Sequence, residues 1–82
     1  MHEYSLVQAM FDQMARVMAT NQAQAVRRVR VRIGPLAGVD PGLFLTAYDV
    51  YRERTFCAGA PLDIEAGAGD ELILEQLELE VP

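Results

Sequence analysis

Val26-Arg27-Arg28-Val29-Arg30-Val31-Arg32-Ile33, running into Gly34-Pro35-Leu36-Ala37-Gly38-Val39-Asp40-Pro41, sets the architecture of this chain. Val29, Val31 and Ile33 alternate with Arg28, Arg30 and Arg32. A period of two with one apolar side is a half-buried strand. Gly34 and Pro35 end it and open a loop. Asp40 then reads as the N-cap of a helix, with Pro41 at its first position. Leu43, Phe44, Ala47, Tyr48 and Tyr51 form that helix's apolar stripe, and Arg52 and Arg54 suit its C-terminal end. Before the strand, Leu6, Val7, Met10, Met14, Val17 and Met18 recur at helical spacing. Ser5 and Gln8 are spaced as a capping box, so this first helix is expected from Ser5 to about Thr20, closed by Asn21-Gln22. After the second helix, Pro61 opens a strand with Leu62, Ile64 and Ala66 on one side. Gly67-Ala68-Gly69-Asp70 is a short turn, expected to close a hairpin. Glu71 to Val81 is a third strand. Its leucines change phase between Leu72/Leu74 and Leu77/Leu79/Val81, which predicts a β-bulge near Glu75-Gln76. The fold class is α+β: two helices packed on a small three-stranded mixed sheet, in the order helix, strand, helix, strand, strand.

The chain has 82 residues, 51% of them hydrophobic and 23% charged, which suits one globular domain over 1–82. It has no lysine. Residues 1–54 hold seven arginines against five acids, net +2, while residues 55–82 hold seven acids and no base, net −7. An acidic half lacks the basic footprint that nucleic acid requires, so no nucleic-acid partner is expected. The strand arginines are expected to pair with the acidic strands beside them. No apolar run reaches the length of a membrane span. With no basic leader region and a single cysteine, Cys57, a cytoplasmic protein is expected. Cys57 has no neighbouring histidine and reads as a structural thiol. The methionines of the first helix read as core rather than as ligands. No nucleophile stands beside a base, and no phosphate loop is present, so an enzyme is not expected.

The remaining chemistry lies at the start, Met1-His2-Glu3. His2 is the only histidine of the chain. A terminal amine, the His2 amide nitrogen and a His2 ring nitrogen can close chelate rings in one plane, a donor set that suits Ni(II) or Cu(II). On position alone, an exposed terminus that binds nothing remains the alternative.

Met1-His2-Glu3-Tyr4-Ser5-Leu6-Val7, then Val29-Arg30-Val31-Arg32-Ile33-Gly34-Pro35-Leu36-Ala37-Gly38-Val39-Asp40-Pro41, and finally Gly69-Asp70-Glu71-Leu72 with Leu77-Glu78-Leu79-Glu80, together resemble the HypA/HybF hydrogenase-maturation nickel metallochaperones. The resemblance implies a carrier of Ni(II) for [NiFe]-hydrogenase, and in some species for urease. It would work with a HypB-type GTPase and the hydrogenase large-subunit precursor. It assigns the metal to Met1 and His2, with Glu3 contributing through its backbone or carboxylate, and leaves a further ligand open. A bulky His2 should preserve the initiator Met1. Ser5 would then be the hinge between a mobile tip and the helix.

The chain departs from that family in one place. Members carry a zinc module with two Cys-x-x-Cys pairs between the last two strands, whereas here a short turn at about 66–70 stands in its place. With one cysteine, no structural zinc is expected. A natural and an engineered loss fit this junction equally. Two other readings follow. One is an interaction module that docks on the GTPase or the precursor without delivering metal. The other is a homo-oligomer or domain swap through exposed strand edges.

Overall fold

The computed structural model describes residues His2–Pro82. Helix α1 spans Glu3–Asn21, strand β1 Ala25–Ile33, helix α2 Pro41–Tyr51, strand β2 Leu62–Ala66 and strand β3 Leu72–Glu80. The element order and the mixed sheet are those expected from the sequence.

α1 starts two residues before the expected cap. Its N-cap is His2, whose side chain makes no capping hydrogen bond, and Leu6 N donates to the His2 carbonyl at 3.0 Å. Ser5 therefore lies inside the first turn, exposed, and neither caps nor hinges the helix. The reason is tertiary: the Glu3 carboxylate is tied down elsewhere in the fold, and this draws the helix start toward the terminus. At the other end Gln22 adopts the left-handed conformation (φ 54°). Gln22 N donates to Ala19 O and Ala23 N to Met18 O, a Schellman closure. Val7, Met10, Phe11, Met14 and Met18 are buried, while Leu6 and Val17 of the expected stripe are only half-buried.

α2 behaves as its cap predicts. Leu43 N donates to Asp40 Oδ1 at 3.1 Å, with Pro41 in the first turn. Phe44 and Tyr48 are fully buried, but Leu43 points outward at 49% exposure. The helix is rotated so that the pair four residues apart, and not Leu43 beside it, meets the core.

β1 is the middle strand of a sheet ordered β2-β1-β3. It pairs parallel with β2, from Val29↔Leu62 to Ile33↔Ala66, and antiparallel with β3, from Ala25↔Glu80 to Ile33↔Leu72. The expected bulge is present: Arg30 faces Gln76 and Val31 faces Leu74, leaving Glu75 as the extra residue. A second irregularity, at Arg27, lies between the Val26↔Leu79 and Arg28↔Glu78 pairs. Val26, Val29, Val31 and Ile33 are buried beneath the helices. On the other face the arginines meet acids from both neighbours: Arg28 and Asp63 at 3.6 Å, Arg32 and Glu65 at 2.8 Å, Arg32 and Glu75, and Arg27 and Glu80 at 3.9 Å.

The expected hairpin between the last two strands does not form. β2 and β3 lie on opposite sides of β1, so residues 67–71 cross over its C-terminal end instead. Gly67 N donates to Ile33 O at 2.9 Å, Leu36 N to Gly69 O at 2.8 Å, and Gly34 N to Glu71 O at 2.9 Å. The Glu71 carboxylate holds the crossing from inside, accepting from Ala68 N at 3.2 Å and Gly69 N at 2.8 Å. Gly34 is required by this arrangement, because a Cβ there would overlap the Gly69 carbonyl and the Glu71 carboxylate. β3 ends at Glu80, and Val81, expected in its buried phase, is 57% exposed beyond it. Cys57 is fully buried, with its Sγ 3.9 Å from Met14 Sδ, as expected of a structural thiol.

Candidate metal site at the start of the first helix

Two helix N-termini meet at the candidate site. His2 is exposed at the head of α1 and its ring takes no part in capping, so both ring nitrogens face no competing helix contact. Glu3 follows as the one buried charged side chain among the described residues, at 7% exposure. Its Oε2 accepts from the backbone N–H of Asp40 at 3.3 Å. Asp40 in turn caps α2 through Oδ1. Glu3 thus joins the head of α1 to the cap of α2. Met1, the third residue expected at the site, lies outside the described residues.

An aromatic cluster pins the same turn from the other side. The Tyr4 and Tyr51 rings meet edge-on at 5.4 Å, and Phe11 packs against Tyr48, Tyr51 and Phe56 at 4.7 to 5.8 Å. Glu3 holds the beginning of α2 and Tyr4 its end, so the first turn of α1 is fastened across the whole second helix. Glu3 and Tyr4 are therefore both held within the fold, which leaves no hinge at Ser5.

The electrostatics follow from this placement. A helix N-terminus carries a partial positive charge and opposes a cation. The buried Glu3 carboxylate stands against it here, and the Asp40 carboxylate caps the neighbouring helix. The Asp40 N–H and the helix's own amide hold the Glu3 carboxyl below the ordinary carboxylate range, so it stays ionised. Among the described residues no group of three or more His, Cys, Asp or Glu side chains is assembled as a metal site. A metal at this corner would have to draw on backbone and terminal nitrogens as well as side chains. Asp40 is the residue that sequence reading missed. In sequence it reads as a helix cap alone, and the contact of its N–H with Glu3 spans 37 positions.

Residues 1–71 match the family model described as "Hydrogenase/urease nickel incorporation, metallochaperone, hypA". The chain is 37% identical over 65 residues to the hydrogenase maturation factor HypA of Shewanella baltica (strain OS185), an alignment covering 79% of this chain and 56% of that protein. It is 38% identical over 65 residues to the hydrogenase/urease maturation factor HypA of Helicobacter pylori, covering 78% and 56%. The chain thus spans little more than half the length of these curated relatives. Its fold superposes on the solution structure of the Ni metallochaperone HypA from Helicobacter pylori with a TM-score of 0.89 and 26% identity, covering 100% of both chains. A second solution structure of a HypA protein gives 0.76 and 27%, covering 96% of both. By sequence and by fold, this chain belongs to the HypA family.

Proposed function

We propose that this chain carries Ni(II) as cargo at its N-terminus and hands it on during the maturation of a [NiFe]-hydrogenase, or of urease where that enzyme is the client. The observation that carries the reading is His2, free at the head of a helix whose next residue is buried and fastened. The Met1 amine, the His2 amide and the His2 ring supply nitrogen donors. Glu3 adds a backbone or carboxylate contribution, with the Asp40 N–H holding its carboxylate in place. A site made largely of terminal nitrogens is held at one end only, which suits a metal that must leave again. The chain acts as a carrier and not as a catalyst, in the cytoplasm, with a HypB-type GTPase and the large-subunit precursor as partners.

The crossing at residues 67–71 occupies the place of the family's zinc module. The match to the family model stops at residue 71, where the crossing ends, which supports this reading. The domain would then keep the nickel ligands and carry no zinc. A second reading, a docking module without metal delivery, rests on the exposed Tyr4, Leu43 and Val50 of the two helices beside the tip.

The test is hydrogenase maturation in cells lacking their own HypA, at low nickel, supplied with this chain or its His2→Ala variant. Hydrogenase activity and the nickel content of the large subunit are the readouts. The proposal expects wild type to restore both and His2→Ala to fall about tenfold or more, the scale of losing a metal-site residue. Full restoration by His2→Ala would move the function to the docking reading.

A further inference from the structure

β3 has one edge filled and one edge empty. Every residue it pairs with lies on β1, and β3 is the last strand of the sheet among the described residues. At nine residues it is long for an unprotected edge. Its inner face is also unfinished. Leu72, Leu74, Leu77 and Leu79 face the helix side but are only half-buried, whereas the β1 residues opposite them are fully covered. The reason is a gap between α1 and β3. Leu6, Met10 and Gln13 line one end of this groove, of about 140 Å³. Val17 and Asn21 of α1 face Leu77 and Leu79 in its wider end, of about 360 Å³.

The solvent face of β3 says what could lie there. Beyond the bulge it presents Gln76, Glu78 and Glu80, with Glu75 at the bulge itself, and the segment from Asp70 to Glu80 contains no base. On the filled side β1 answers these acids with Arg27, Arg28, Arg30 and Arg32. A residue on a sheet face stands between two neighbouring strands, so Glu78 offers the vacant side the same charge that it offers Arg28. Arg28 itself pairs with Asp63, and Glu78 makes no salt bridge among the described residues. A basic partner strand answers these acids better than a second copy of β3, which brings only further acids to the edge. Centred on Glu78, an antiparallel copy sets Glu78 against Glu78, and like charges directly opposite destabilise.

We propose that the free edge of β3, with the α1–β3 groove beneath it, takes an extended segment of another protein as a fourth strand. The segment carries arginine or lysine at alternate positions and apolar side chains between them. Main-chain hydrogen bonds to β3 supply the general affinity. The acids read the basic positions, and the groove takes the apolar ones. β1 is the internal example of the pattern that β3 accepts. This surface lies on the opposite side of the sheet's middle strand from β2 and uses none of the residues at the metal site.

The test uses the whole chain and two labelled peptides, one alternating valine and arginine, the other valine and glutamate. Fluorescence anisotropy reads binding, and amide chemical shifts read its place. The expected result is binding of the arginine peptide alone, with shifts concentrated at residues 72–80. Glu78→Arg should weaken it about tenfold or more and Glu78→Gln by less, with His2→Ala without effect. The proposal is overturned if neither peptide binds or both bind alike. It is also overturned if the shifts fall on α2, if Glu78→Arg leaves binding unchanged, or if light scattering shows the edge already occupied in a dimer.

Discussion

Gly34 stands where its neighbours leave no room for a side chain. The 67–71 crossing lies directly on it, and the Gly69 carbonyl would meet a methyl group there. Because that neighbour is backbone, it cannot swing away. Gly34→Ala should therefore cost about 1–3 kcal/mol, the range of overpacking, read as a lower urea midpoint with an unchanged slope. Tyr48 makes a different kind of contribution. Its ring is fully buried and its hydroxyl donates to the Ala60 carbonyl at 2.7 Å, an oxygen that also accepts from Arg52. Tyr48→Phe leaves that carbonyl still partnered, so the expected loss is only about 1 kcal/mol by urea titration. Beside it, burial pushes the Cys57 thiol up to about 11, and burial likewise raises Tyr48. The unfolded chain surrenders these protons first, so the native state binds more of them in alkali. Stability from this pair should be complete below about pH 8.5 and fall as pH rises toward 11. A melting-temperature series in alkaline buffers reads this, and Cys57→Ala should remove part of the slope. These side chains were legible only in outline. The sequence placed Tyr48 on a buried stripe and read Cys57 as a structural thiol, but nothing in it placed the Gly69 carbonyl over Gly34.

Local chemistry spoke clearly for some elements and was overridden for others. Asp40-Pro41 capped α2 as its residue types dictate, and the leucine phase change located the Glu75 bulge, because both signals are contained in the segment itself. Asp40→Ala should cost about 1 kcal/mol through the lost cap. Circular dichroism melts would show the loss, and Asp40→Asn should recover most of it. The capping box at Ser5 failed for a reason outside α1. The Asp40 N–H captures Glu3, so the helix starts earlier. The second irregularity of β1 did leave a trace, since Val26 and Val29 are both buried and lie an odd number of residues apart. The hairpin was misplaced because glycine-rich sequence reports a tight turn and not which strands the turn joins. Gln22 offers a further check at this scale. Its left-handed conformation costs a side-chain-bearing residue about 1 kcal/mol, so Gln22→Gly should raise the melting temperature by a few degrees.

The whole molecule is a charge-matched sheet beneath a two-helix lid, with its candidate chemistry at one corner. The arginines of β1 lie between acids on both sides, yet these pairs are largely exposed, and exposed pairs contribute about 0–1 kcal/mol each. Molar salt should therefore lower stability only slightly, and the helix–sheet core sets the fold. Acid should matter more. Hydrogen bonds from backbone amides lower the Glu71 carboxyl, and the Arg32 guanidinium lowers that of Glu75. Their contribution is present above the ordinary carboxylate range and is lost as pH falls through the lowered native values. The sequence disclosed the layers and the strand order along the chain, and it pointed to the terminus as a candidate metal site. It could not disclose that Glu3 fastens that site to α2, since this depends on two helix ends meeting in space. The central claim is that the terminal nitrogens bind nickel, and calorimetric titration of Ni(II) tests it most directly. The titration compares protein beginning at Met1, its His2→Ala variant and a form extended by one residue before Met1. One nickel bound by the first, and loss of that binding in both others, is the predicted result. Equal binding by all three, or by none, would contradict the account.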